Sequence, residues 1–239
     1  MLELHQFRHS AFCEKVRLVL AAKGLDYTVV EVTPGVGQLE LVRLSGQRQV
    51  PVLVDGDEVI ADSSAIALYL EGRAPQPPLL PADPAQRAQV LLLEDWADTT
   101  LASGVRLALV QAAVADPVLR SALLPESTPD SLRNLVGALP GGLLSGLGQV
   151  AQVVDHGALQ QLRTALEQLS ALVQAQPYLV GSSLSLVDLA VAAQLSLLCF
   201  PASAGAPLAG RGVPGLADDP ALAPLFSWRD RLGAEVGRP

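Results

Sequence analysis

The chain is 239 residues long and carries 24 Asp and Glu against 16 Lys and Arg, a formal net charge of −8, with 50% hydrophobic and 17% charged residues. That length holds one large domain or two small ones, with ample apolar material for a core. An acidic balance without a basic run, and four Phe, three Tyr and two Trp standing singly, offer neither a phosphate-binding nor a base-stacking surface, so nucleic acid is not expected as a partner.

The opening residues, Met1-Leu2-Glu3-Leu4-His5, lack a basic segment followed by an apolar one, and a cytoplasmic location is expected. Residues 2–7 and 26–32 read as strands, the second through its β-branched and aromatic content. Between them, residues 13–23 contain no Gly or Pro, are apolar at Val16, Val19 and Leu20, and stop at Gly24, which predicts a helix. Strand, helix, strand is a βαβ unit with parallel strands. A short helix is expected over 39–44. Residues 51–54 and 58–61 flank Asp55-Gly56-Asp57 and read as a hairpin, because Asp-Gly supplies the positive φ a tight turn needs. Asp62 and Ser63 are capping residues for a helix over 64–71 that ends at Gly72 and Pro75. Residues 1–74 are therefore expected to form a compact α/β module, βαβ followed by ββα, with a small mixed sheet.

Pro75, Pro77, Pro78, Pro81 and Pro84 make residues 75–84 a stiff linker. Beyond it no strand pattern appears. Residues 85–115, 158–174 and 185–200 have helical spacing, so 85–239 is expected to be an all-helical module. The Gly- and Pro-rich stretches 125–148 and 201–220 are expected as loops within it. Residues 184–200 are strongly apolar but interrupted by Asp188 and Gln194 and too short for a bilayer, so they read as a buried core helix with no membrane span. Cys13 and Cys199 are too far apart in sequence to suggest a disulfide framework.

Four signals then occur in a particular order. Ser10-Ala11-Phe12-Cys13-Glu14-Lys15-Val16-Arg17 opens the first helix, Arg48-Gln49-Val50-Pro51-Val52-Leu53 leads into the third strand, Asp62-Ser63 opens the helix after the hairpin, and Ser185-x-x-Asp188 is a capping box late in the helical half. Together they resemble the soluble glutathione transferase family over residues 1–200: a thioredoxin-like N-terminal domain followed by an all-helical C-terminal domain.

The resemblance implies a site for glutathione as co-substrate. Ser10 corresponds to the residue that stabilises the glutathione thiolate in serine-type members, and by its own position it is a helix N-cap beside unpaired N–H groups. Cys13 matches the second cysteine of a Cys-Pro-Phe/Tyr-Cys pattern whose first cysteine and proline are missing here; it is the alternative catalytic residue, or a small buried hydrophobe. Val50-Pro51 implies a cis peptide and strand-like pairing of Val50 with the cysteinyl part of glutathione. Asp62-Ser63 implies binding of the γ-glutamyl end, the carboxylate taking the ammonium while Ser63 and the helix N-terminus take the carboxylate. Arg48-Gln49 resembles the segment of zeta-like members that reaches the glycyl carboxylate, although Ser45-Gly46 replaces the family's frequent Asn-Pro just before it.

A second-substrate pocket for a small hydrophobic electrophile is expected between the modules, with Trp96, Thr99, Thr100 and Arg106 as lining residues and the 200–220 loop near it. The resemblance also implies a two-fold homodimer. No His/Cys/Asp pattern at metal spacing occurs, so no metal is expected. Two alternatives stand beside a serine-type transferase: a Cys13-dependent reductase or deglutathionylase, and a non-catalytic binding or assembly protein on the same scaffold.

Overall fold

The computed structural model describes residues 1–33, 36–125, 128–139 and 156–237. Its first part runs β1 (Leu2–Gln6), α1 (Ala11–Ala22), β2 (Tyr27–Glu31), α2 (Val36–Ser45), β3 (Val52–Asp55), β4 (Glu58–Ala61) and α3 (Ser63–Arg73). The four strands form one mixed sheet in the order β2-β1-β3-β4. β1 is central because its alternate residues Leu2, Leu4 and Gln6 are all buried, and it pairs parallel with β2 and antiparallel with β3. The second strand of the βαβ unit is an edge, and Val29 is correspondingly exposed. Helix α2 is longer than its predicted core of 39–44, and its buried residue is Leu41, which packs on Val32 and Val52.

The helical part comprises α4 (Pro84–Trp96), a π-helical turn (Ala97–Leu101), α5 (Ala102–Ala115), α6 (Pro117–Ala122), α7 (Asp130–Ala138), α8 (His156–Ala175), α9 (Leu186–Leu198), a 3₁₀ turn (Ala202–Ala204) and α10 (Ala223–Glu235). α9 is the hub: almost all of its residues are buried, and it packs against α1, α4, α5 and α10. This is why its sequence is apolar all round rather than on one stripe. Among the described residues no helix is long and apolar enough to cross a membrane.

Four features differ from the sequence reading. The segment 75–84 is clamped rather than a free spacer: Leu79 and Leu80 are buried, their N–H groups donate to the Glu71 carboxylate, and Lys23 Nζ bonds both Glu71 at 2.5 Å and the Pro77 carbonyl at 2.6 Å. The continuous helical pattern of 85–115 is interrupted by the π turn. Within the expected loop 125–148 the chain forms α7; residues 126–127 and 140–148 lie outside the described residues. The Arg120 guanidinium holds that helix from α6 by bonding the carbonyls of Val136, Gly137 and Leu139, and its own apolar residues Leu132, Leu135 and Val136 recur at helical spacing. Finally, α6 and α10 lie outside the stretches predicted to be helical, although Asp116-Pro117 at the start of α6 is an N-cap followed by proline at the first helical position.

Candidate active site

The register of the sheet assembles the site. His5 pairs with Val52, and Val52 pairs with Ala61. The exit of β1, the entry of β3 and the exit of β4 therefore lie in one row, and everything that continues from them, residues 7–10, 48–51 and 62–63, collects at one end of the sheet. Two helices start there. Ser10 caps α1, its Oγ accepting the Cys13 N–H at 3.4 Å, and Asp62 caps α3, its Oδ1 accepting the N–H groups of Ser64 and Ala65 at 3.0 Å each. Two helix N-termini facing one place make it favourable for anions.

Asp62 has φ of 80°, the one positive φ among the described non-glycine residues. A left-handed backbone at a residue with a side chain costs about 1 to 3 kcal/mol and is typical of ligand-binding positions. Because both cap bonds go to Oδ1, the second oxygen of this exposed carboxylate is left for a cation, while the Ser63 N–H has no intrahelical acceptor.

The Val50–Pro51 peptide is cis. Pro51 is buried and Val50 is half-buried just ahead of β3, with its backbone N–H and C=O unpaired among the described residues. Arg48 and Gln49 are exposed at the same end of the sheet.

Cys13 is fully buried, and burial pushes its thiol above the ordinary range against the hydrogen bond from Ser10. A thiol held protonated and out of reach is a poor nucleophile. Ser10, in contrast, lines a cleft of about 560 Å³ between α1 and the helical module, bounded opposite by α9 and by Phe200 and Ser203. His9 stands in the wall of this cleft, edge-on to Phe7 and to Phe200 at ring distances of 5.9 and 6.3 Å.

Trp96, Thr99, Thr100 and Arg106 are also brought together, but elsewhere. They line a groove of about 1210 Å³ between the α4–α5 segment and α8, and none of its lining residues is shared with the cleft at Ser10. The segments that carry Ser10, Val50–Pro51 and Asp62–Ser63 thus leave the sheet at one end, while the four residues line a groove that reaches Ser63 through Asp98, which lines it and accepts the Ser63 hydroxyl.

A buried ionic cluster under the site was missed in the sequence. Lys15, 1% exposed, points from α1 to Glu94 and Asp98 one helical turn apart on α4 and the π turn, and to the Ser64 hydroxyl on α3. Asp98 also accepts the Ser63 hydroxyl at 3.3 Å. Burial, helped by the Glu94 carboxylate, holds Asp98 above the usual carboxylate range against the pull of Lys15. The available signal was a lysine within an apolar helix and an acidic pair at i, i+4 in the apolar run 90–101.

A family model described as "Glutathione S-transferase, N-terminal domain" matches residues 4–78. Those residues belong to the glutathione S-transferase family. Glutathione S-transferase Z1 of Arabidopsis thaliana is 42% identical over 90 residues, which are 36% of this chain and 41% of that protein. A stringent starvation protein A homolog from Pasteurella multocida is 37% identical over 101 residues, 40% of this chain and 48% of that protein. The chain thus matches less than half the length of either curated relative. A solved glutathione S-transferase from Rhodospirillum rubrum is 27% identical with a TM-score of 0.66, covering 98% of this chain and 88% of that one. A thioredoxin-like sheet followed by a helical domain is the fold of the glutathione S-transferases, and the described residues have it.

Proposed function

We propose that this glutathione S-transferase family member is a transferase that activates the thiol of glutathione for attack on a small hydrophobic electrophile. The observation that supports the reading is the row His5–Val52–Ala61, from which the segments 7–10, 48–51 and 62–63 continue at one end of the sheet, where α1 and α3 begin at the caps Ser10 and Asp62. Asp62 takes the γ-glutamyl ammonium, the start of α3 takes the α-carboxylate, Val50 pairs with the cysteinyl backbone, and Arg48 with Gln49 takes the glycyl carboxylate. The sulfur then lies beside Ser10. A free thiol near pKa 8.5 is mostly protonated at neutral pH, and a hydroxyl donor plus the α1 dipole favour the thiolate. The electrophile approaches from the cleft that Ser10 lines, where Leu197, Phe200 and Pro201 offer apolar contacts among polar residues such as Arg8, Glu14 and Arg17.

The groove at Trp96, Thr99, Thr100 and Arg106 fits better as the seat of a second copy than as the reaction pocket. Leu92, 72% exposed, lies one turn before Trp96 on the same helix, an apolar surface that a two-fold homodimer would cover. Light scattering at micromolar concentration is expected to give the dimer mass, and a monomer contradicts this assignment.

The test of the transferase reading is calorimetry with glutathione followed by conjugation assays with aryl and alkyl halides. Binding below millimolar with measurable conjugation supports it. No binding at millimolar glutathione removes it in favour of a non-catalytic scaffold, a reading that the match to a stringent starvation protein A homolog keeps in view.

A further inference from the structure

The turn that leaves β1 is fixed from several sides. The Ser10 N–H closes it on the Phe7 carbonyl at 3.0 Å, the Arg8 N–H donates to the Glu31 carboxylate at 2.7 Å, and the Arg17 guanidinium donates to the Arg8 carbonyl at 3.0 Å. The Arg8 guanidinium in turn donates to the Ala204 carbonyl at 3.2 Å, which ties the turn to the segment that follows α9. His9 is the third residue of this turn, directly before Ser10, and lines the same cleft. Its ring stands nearly perpendicular to Phe7 within the turn and to Phe200 of the helical module, at interplanar angles of 87° and 88°. Contacts from both modules therefore hold one imidazole in the cleft wall, next in the chain to Ser10.

We propose that His9 is a second catalytic residue, which protonates the oxygen that takes up the electron pair when an epoxide or an α,β-unsaturated ketone is attacked. This rests on the transferase reading above and names a substrate class for the same cleft. In that reading the single Ser10 hydroxyl proton goes to the sulfur, while Ser10 Oγ accepts the Cys13 N–H, so Ser10 has nothing left to give the electrophile. A second donor is needed, and an imidazole can hold and release a proton near neutral pH. With an epoxide the thiolate sulfur bonds to carbon, the C–O bond breaks, its electron pair goes to oxygen, and that oxygen takes the His9 proton. With an unsaturated ketone the sulfur bonds to the β-carbon, the C=C pair moves toward the carbonyl, and the enolate oxygen takes the same proton. The proton that the glutathione thiol released to water returns to His9 through water, so thiol plus electrophile equals product. An aryl halide makes no such demand, because the halide leaves with its electron pair and stays unprotonated.

The experiment measures kcat/KM of the full chain with glutathione and each of styrene oxide, benzylideneacetone and chlorodinitrobenzene, with thermal melts confirming that each variant is folded. His9→Phe keeps a ring between Phe7 and Phe200 and removes the proton. It should lower the rates with the epoxide and the ketone by about 100-fold relative to the rate with the aryl halide. His9→Gln keeps an N–H without an acidic proton, so it should shift the ratio in the same direction by less, and it carries the test if the Phe variant does not fold. Equal losses with all three electrophiles would make His9 a packing residue or a base for the glutathione thiol, and overturn the inference; so would unchanged rates in both variants. An unmodified protein that conjugates the aryl halide but neither oxygen-bearing electrophile overturns the inference alone. If it conjugates none of the three, the transferase reading fails and this inference with it.

Discussion

The Ser10 hydroxyl accepts the Cys13 N–H at 3.4 Å, yet the two side chains have opposite fates: Ser10 opens onto the cleft and Cys13 is sealed at 0% exposure. One turn of helix separates a residue that can meet a ligand from one that cannot. Ser10→Ala should therefore lower conjugation by about 10- to 1000-fold with little change in glutathione affinity, because the hydroxyl matters mainly to the ionised sulfur. Cys13→Ala should leave the rate close to that of the unmodified protein. Steady-state assays of both variants decide between the two residues, and undiminished conjugation by Ser10→Ala would remove the mechanism.

Asp62 has two duties that substitution can separate. Asn keeps a side-chain oxygen for the Ser64 and Ala65 N–H groups and tolerates positive φ, but carries no charge. Asp62→Asn should keep thermal stability near that of the unmodified protein while weakening glutathione binding about 10-fold or more. Asp62→Ala should lose the affinity and also about 1 kcal/mol of stability from the missing cap. Equal affinities for the unmodified and Asn proteins would show that the charge has no ligand to meet.

Asp188 provides a pH test of the core. Its carboxylate accepts the Leu179 N–H at 2.7 Å, the Ser185 N–H at 2.8 Å and the Ser185 hydroxyl at 2.7 Å, yet burial pushes its pKa up to about 6 from 3.8. Folding thus tightens the hold on this proton. Its contribution to stability is fully present below the unfolded value and is lost as pH rises through about 6. Measured against Asp188→Asn, which does not titrate, the unmodified protein should gain about 2 kcal/mol in denaturant unfolding between pH 7 and pH 4. A flat difference, or one of opposite slope, would show that the three hydrogen bonds outweigh burial.

Gly212 closes the segment after α9, where it bridges to Cys199. A Cβ there would run into the Leu198 carbonyl oxygen and lie 2.5 Å from the Ala217 Cβ and 2.9 Å from the Cys199 Cα. Backbone cannot rotate away as a flexible side chain can. Gly212→Ala should cost about 2 kcal/mol or more in urea unfolding, and because the segment 200–204 walls the cleft at Ser10, it should also raise KM for the electrophile. Unchanged stability would mean that this crossing yields to an added methyl group.

The sequence by itself determined the elements whose signals are local. Alternating burial in β1, Asp-Gly at the hairpin, the caps at Ser10 and Asp62, and the capping box at Ser185 all act within a few residues, so each is written in consecutive side chains. Their order along the chain carried the resemblance to the transferase family, and with it Ser10, Val50–Pro51 and Asp62–Ser63. Only the tertiary structure decided that the segments carrying those residues leave the sheet at one end, through the row His5–Val52–Ala61. It also placed the Trp96 and Arg106 groove apart from Ser10 and sealed Cys13. Lys15, Glu94 and Asp98 lie 79 and 83 residues apart, and Arg120 stabilises α7 from 16 residues away or more. Pairings at such separations depend on how helices pack, and a charged side chain reads in sequence as a solvated one until its burial is known.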